Sequence, residues 1–205
     1  MTTSATDRRP RARRGEGERL REEILEATER LLIRTGDEEA VSVRAIARAV
    51  GITPPSIYLH FADKTELLFA VCGRHFLALD EAMEAAAATA ADPLDALRLR
   101  GRAYVRFGLD HPEQYRILFM SKPSAKPEAW TSEAMLENAA FTHHLDAVVR
   151  AFPERDDHYV IAIGLWAAVH GVVSLLLAQP DFPWPELDAL VDHVLAIQAR
   201  GIAAA

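Results

Sequence analysis

The stretch Ser42-Val43-Arg44-Ala45-Ile46-Ala47-Arg48-Ala49-Val50-Gly51-Ile52-Thr53-Pro54-Pro55-Ser56-Ile57-Tyr58-Leu59-His60-Phe61 decides how this chain is read. Ser42 is a good N-cap for a short helix, and Val43, Ile46, Ala47 and Val50 fall on one face of it. Gly51 supplies the left-handed residue that stops it. Thr53 then caps a third short helix over residues 54–60, whose first turn tolerates Pro54 and Pro55 because no backbone N–H is needed there. Ile57 and Phe61, four apart, point inward and hold this helix against its neighbours. Thr53, Ser56, Tyr58 and His60 are left projecting outward, and their short hydrogen-bonding groups suit phosphates and base edges. Two short helices joined by a glycine turn have the dimensions of a helix-turn-helix.

The flanks are helical too. Leu20, Ile24, Ala27 and Leu31 recur at helical spacing in a segment ending near Gly36. Asp63 caps a longer fourth helix, with Glu66 completing a capping-box-like pair. Its apolar face is Leu68, Val71, Cys72, His75, Phe76 and Leu79. Asp92-Pro93 opens a fifth helix through Gly108, and Pro112 begins another over 113–120. Residues 121–127 hold two prolines and two lysines and read as a loop, followed by a helix over 133–152 that Pro153 breaks. Pro180, Pro183 and Pro185 make a stiff turn before a last helix with Leu187, Leu190, Val191 and Val194 on one side. No β alternation occurs. The chain is expected to be all-α, with about nine helices.

Charge points two ways. The 205 residues are 50% hydrophobic and 26% charged, a soluble globular profile, and the net charge of −7 argues against a nucleic-acid partner taken alone. The distribution reverses that. Residues 1–60 hold eleven arginines against ten acids, and the remainder holds twelve basic residues against twenty acids. Arg8, Arg9, Arg11, Arg13 and Arg14 oppose only Asp7, and between residues 40 and 61 Arg44 and Arg48 meet no acid. Residues 1–15 read as a disordered arm that either follows the DNA backbone, enters a minor groove or has no role.

In these residues a resemblance takes shape. The stretch from Val43 to Thr53, then Ser56-Ile57-Tyr58-Leu59-His60-Phe61 and Asp63-Lys64-Thr65-Glu66-Leu67-Leu68, resembles the signature of TetR-family transcriptional regulators over residues 18–78. The resemblance implies a homodimer whose N-terminal three-helix domain, residues 16–64, binds double-stranded DNA. It also implies that residues 65–205 form a larger helical domain for a small ligand and for dimerisation. Ser42, Tyr58 and Lys64 fall at phosphate-contacting positions, and Arg44, Ser56 and His60 at base-reading ones, with Thr53 at the helix start. The chain departs from the pattern at Pro54-Pro55, where Lys-Gly is frequent, and at Leu59, where a second aromatic is common.

Trp166, His170 and Gly171 resemble the W-x3-H-G pattern of one group of that family's C-terminal domains, and residues 111–116 fit the same group. Two readings of Trp166 and His170 stand at this point: a hydrogen-bonded core pair one turn apart, or part of a pocket for a small hydrophobic effector. In the second, Tyr104, Phe107, Tyr115, Phe119, Trp130 and Phe141 complete an aromatic lining. Residues 159–178 carry no charge. That is long enough to span a bilayer, but acids flank it without a positive-inside bias, so it is expected to be buried in the core or in a subunit interface. Pairing it and the last helix with their symmetry mates makes a four-helix dimer surface.

Other function classes find little footing. Cys72 is the sole cysteine, which excludes an intrachain disulfide, and no C-x-x-C or H-E-x-x-H zinc motif occurs, so no metal or cofactor is expected. The one adjacent histidine pair is His143-His144. No apolar segment follows the N-terminal arginines, so no signal peptide is read and a cytoplasmic protein is expected. A helical enzyme or a ligand-binding module without DNA contact are the alternatives. Against the enzyme, no nucleophile, base and orienting residue fall at a recognisable spacing.

Overall fold

The computed structural model describes residues 16–119 and 139–204. The arm over 1–15, the loop over 121–127, Trp130 and the start of the helix expected from residue 133 lie outside the described residues. Among those described, every regular element is a helix. The chain divides into two compact units, with the described divisions inside two helices, between Arg74 and His75 and between Tyr115 and Arg116.

The first unit holds residues 16–74 and 116–119. α1 (Glu16–Thr35) buries Ile24, Leu25, Ala27, Leu31 and Leu32 along one face. Thr28 is buried on that face without penalty, because its hydroxyl donates to the Ile24 carbonyl at 2.8 Å. α2 (Val43–Val50) is capped as expected: Ser42 Oγ accepts from the Ala45 N–H at 3.1 Å. Gly51 sits at φ 77°, where a side chain is strained. The Ile52 N–H closes the end on the Ala47 carbonyl at 2.9 Å, a Schellman arrangement.

α3 (Pro54–Ile57) is shorter than the sequence suggests. The His60 and Phe61 N–H groups both return to the Ile57 carbonyl, so residues 58–60 close as a turn. Thr53 has the extended backbone of a cap but gives no side-chain cap bond. Its hydroxyl lies 2.9 Å from Ser56 Oγ instead. Ile57 and Phe61 are each 1% exposed and join Ile24, Leu25, Val41, Ile46, Leu67, Val71 and Ile117 in one core. The Arg21 guanidinium stacks 5.0 Å from the Phe61 ring centroid, covering its edge of the core.

α4 (Lys64–Ala87) starts at the expected cap, with the Glu66 N–H on Asp63 Oδ1 at 2.8 Å and the Glu66 carboxylate reaching back to the Ala62 N–H. On it, Cys72 is largely buried, and that burial, helped by the charge of Glu38, pushes its thiol pKa up to about 11.

The second unit holds residues 75–115 and 139–204. It contains the rest of α4, then α5 (Pro93–Asp110), the start of α6 (Pro112–Phe119), α7 (Ala139–Ala151), α8 (His158–Ala178) and α9 (Leu187–Ala204). Asp92 caps α5 by accepting from the Asp95 N–H, with Pro93 in the first turn, and α5 runs two residues past the expected end at Gly108. Two glycines let neighbours approach α5. A Cβ on Gly101 would lie 2.8 Å from Leu195 Cδ1, and one on Gly108 would lie 2.5 Å from Val173 Cγ1. Arg102 grips Asp192 with two donors, and Arg106 holds Asp188 at 2.7 Å, fixing α5 against α9.

α8 is not covered on all sides within the chain. Ile161, Ala162, Leu165, Val169, Val172 and Val173 are buried, while Tyr159 (53% exposed), Val160 (66%) and Leu175 (55%) are not. Among the described residues, the buried positions of this helix fall on one face. α9 likewise buries Val191 and Leu195 and leaves Ile197 exposed. Leu190 and Val194, expected on its inward side, are only partly covered, because the buried seam runs through 191 and 195.

A charged group lies inside this unit as well. Arg100 of α5 is 2% exposed and Asp80 of α4 is 4% exposed. Arg100 Nη1 binds the Glu84 carboxylate, and His143 Nδ1 of α7 lies 2.8 Å from Asp80 Oδ2.

Candidate nucleic-acid interface and effector site

The residues expected to meet DNA are all displayed by the first unit. Ser42, Arg44, Thr53 and Tyr58 are exposed, and Ser56, His60 and Lys64 are partly so. Tyr58 at 51% and Leu59 at 83% exposure flank the buried Ile57 and Phe61, so the same turn that fills the core pushes its polar and apolar neighbours outward. Leu59 was not singled out as a contact, yet it is the more exposed of the two.

The side chains keep hydrogen-bond capacity for a partner. Ser42 Oγ spends a lone pair on capping, which leaves its O–H to donate. In the Thr53–Ser56 pair one hydroxyl donates to the other, so one O–H remains. Lys64 differs from expectation: its ammonium already donates to the Glu38 carbonyl oxygen at 2.6 Å. That uses one of three N–H groups and ties the start of α4 to the segment before α2. Arg44 carries a full charge on the α2 surface with no acid beside it in the sequence.

The aromatic set of the second unit resolves into separate groups. Trp166 Nε1 donates to the Tyr104 oxygen at 3.1 Å. The Tyr104 hydroxyl lies 3.2 Å from that of Tyr115, which lies 2.6 Å from His170 Nδ1. Burial, and next the neighbouring Tyr115, drive the Tyr104 phenol pKa far above its ordinary value. Burial pushes Tyr115 up to about 12, and burial lowers His170. Both phenols therefore keep their protons at neutral pH while the imidazole is uncharged. The indole can only donate, so the Tyr104 oxygen accepts from Trp166, and His170 Nδ1 lies within reach of both hydroxyls, at 2.6 Å from Tyr115 and 3.2 Å from Tyr104.

Trp166 and His170 thus each reach a tyrosine of α5 or α6, and their rings meet edge to face at 6.1 Å. The partners Tyr104 and Tyr115 belong to the expected lining. Ser174 was missed: it stands close enough to Tyr115 to lower that phenol, but its buried Oγ has no well-formed hydrogen bond. It sits one helical turn beyond His170, which is the signal that could have found it.

Phe107 is 8% exposed and packs on His111 at 4.9 Å. Phe141 belongs to another group, with Tyr159 at 5.9 Å and His144 at 6.5 Å. Phe119 falls in the first unit, and Trp130 lies outside the described residues. The expected eight-residue lining is therefore brought together at Tyr104, Tyr115, Trp166 and His170. Elsewhere in this unit, Asp80, Glu84 and His143 present ligand atoms within 4.8 Å of one another. Sequence spacing could not reveal that set, since its members come from α4 and α7.

Known proteins match both halves. Residues 24–71 match the family model described as bacterial regulatory proteins, tetR family. Residues 97–197 match the model described as tetracyclin repressor-like, C-terminal domain. The HTH-type transcriptional activator FasR of Mycolicibacterium smegmatis is 28% identical over 168 residues, which is 78% of this chain and 76% of that protein. Among solved structures, a TetR family transcription regulator from Marinobacter aquaeolei VT8 superposes with a TM-score of 0.71 at 22% identity, covering 92% of this chain and 97% of that one. The TetR family regulator PfmR from Thermus thermophilus gives a TM-score of 0.62 at 22% identity, covering 86% and 97%.

Proposed function

The chain belongs to the TetR family of bacterial transcriptional regulators, and on that premise we propose that it is a ligand-responsive repressor that binds a near-palindromic operator as a homodimer. It is a DNA-binding regulator by family and fold, and family members generally act as dimers. The observation that carries the reading is the reading head itself: Arg44, Tyr58 and His60 displayed around a rigid core of Ile46, Ile57 and Phe61. A head fixed by its own hydrophobic core presents those side chains on a backbone that needs no further ordering on binding.

The dimer surface is assigned to α8 and α9. Tyr159, Val160 and Leu175 on one and Ile197 on the other are large apolar side chains left in water by the chain's own packing, as expected where a second copy covers them. A two-fold dimer carries two heads, hence the near-palindrome. The effector is assigned to the neighbourhood of Tyr104, Tyr115, Trp166 and His170, and its aromatic, uncharged character suits a small hydrophobic molecule. Release from DNA follows if the effector binds the two states of the dimer unequally. A cytoplasmic location goes with the function.

The test is fluorescence anisotropy on DNA flanking the protein's own gene, at several salt concentrations. Salt-sensitive binding that prefers one sequence is expected, and equal affinity for all sequences overturns the reading. Activation is the second reading, favoured by the activator name of the FasR relative. A promoter reporter separates the two: deleting the gene raises expression under repression and lowers it under activation.

A further inference from the structure

We propose that Asp80, Glu84 and His143 form a binding site for a divalent transition-metal cation, with zinc as the best match. Asp80 and Glu84 are one turn apart on α4 and so share a face, and His143 approaches from α7. Their ligand atoms all lie within 4.8 Å of one another. Two carboxylate oxygens and one imidazole nitrogen form the mixed set that zinc accepts with a water in the fourth position.

Independent of that grouping is the state of Asp80. Its side chain is almost wholly buried, and Oδ1 has no hydrogen-bond partner. A dry carboxylate oxygen without a donor is costly. Arg100 does not satisfy it: Nη2 stands off at 3.9 Å, beyond hydrogen-bond reach, while Nη1 is committed to Glu84. The two carboxylates also outnumber the one guanidinium, so the cluster has room for a further positive charge. His143 and Glu84, with side chains 46% and 45% exposed, form an open rim over the buried Asp80, which gives an ion a path in.

The present bond between His143 and Asp80 describes what changes on binding. A carboxylate can only accept, so His143 Nδ1 carries the hydrogen in that 2.8 Å contact. Metal takes the Nδ1 lone pair, so the Nδ1 proton leaves and the ring carries its proton on Nε2. Arg100 keeps its hold on Glu84 throughout and orients that carboxylate.

The test uses the full chain, stripped with a chelator and titrated calorimetrically with zinc chloride. One equivalent with a micromolar or tighter Kd is expected, together with a rise in the thermal unfolding midpoint that magnesium chloride does not give. His143→Ala is expected to weaken zinc binding at least tenfold, and, because it also removes the donor to the buried Asp80 Oδ2, to lower the metal-free midpoint. If that variant folds poorly, Glu84→Gln carries the same expectation for zinc binding. Absence of stoichiometric binding overturns the proposal. So does zinc binding of wild-type strength in the folded variants, which would place the ion on other histidines.

Discussion

The Tyr115 hydroxyl lies 2.6 Å from His170 Nδ1, the shortest bond of a cluster in which the Trp166 indole donates to the Tyr104 oxygen. Tyr115→Phe keeps the ring and removes the oxygen, leaving His170 Nδ1 only the longer 3.2 Å contact with Tyr104. A loss of about 1–3 kcal/mol in unfolding free energy is expected, measured by urea denaturation. A loss under about 0.5 kcal/mol would mean that the chain of bonds is not formed in solution.

Burial lowers the pKa of both His144 and His170. The unfolded chain therefore takes up protons on these rings at a higher pH than the folded one. Below the ordinary histidine pKa, about 6.5, the unfolded state binds more protons, so stability falls as pH falls through that value toward the lowered ones. Urea midpoints between pH 8 and pH 5 are expected to be flat at the top and to decline at the bottom. His144→Asn, keeping a donor for the Ala162 carbonyl now bound by Nε2 at 2.9 Å, should shallow that decline.

Lys64 and Arg44 should separate in their effect on DNA. Arg44→Ala is expected to relax sequence preference at one operator position, costing about 1–3 kcal/mol there. Lys64→Ala should weaken binding to all sequences and reduce the salt slope by about one. Because Lys64 also ties the Glu38 carbonyl, its variant should unfold at lower urea, whereas that of Arg44 should not. Identical salt slopes for the two variants would mean that both residues meet phosphate.

Two glycines make a paired test of packing. Gly73 has nothing within 4 Å of a built Cβ, so Gly73→Ala in mid-helix should stabilise by about 0.5–1 kcal/mol. Gly108→Ala gains the same helical preference but drives its methyl into Val173 and Tyr115, and an overpacking cost of about 1–3 kcal/mol should outweigh the gain. Adding Val173→Ala to the Gly108 variant should recover part of the loss. No recovery would place the strain elsewhere.

What the sequence made legible was whatever a few neighbouring residues decide. Ser42, Gly51, the Asp63–Glu66 pair and Asp92-Pro93 each act within one turn of backbone, and the structure places every one at its helix end. Ile57 and Phe61 were readable as an inward pair for the same reason. Thr53 takes the cap position with its backbone, but its hydroxyl meets the Ser56 side chain instead of a backbone N–H. Tyr104 and Tyr115 were legible as aromatics of a lining, but not as links between Trp166 and His170, which lie 55 or more positions away. Phe141 meets Tyr159 and His144, a pairing that aromatic character alone does not specify. The Asp80–Arg100–His143 cluster was invisible, since α4, α5 and α7 each contribute a side chain that reads alone as an ordinary surface charge.

Cys72, the single cysteine of the chain, has a practical corollary. With its thiol near pKa 11, about one molecule in ten thousand carries the thiolate at neutral pH, and only that form attacks electrophiles. Maleimides and oxidants should pass it by. A cysteine placed at the open position 59, as Leu59→Cys, would then be the one fast-reacting thiol in the molecule. A dye could be hung on the reading turn without first removing the native cysteine, and its emission would follow each arrival on DNA, molecule by molecule.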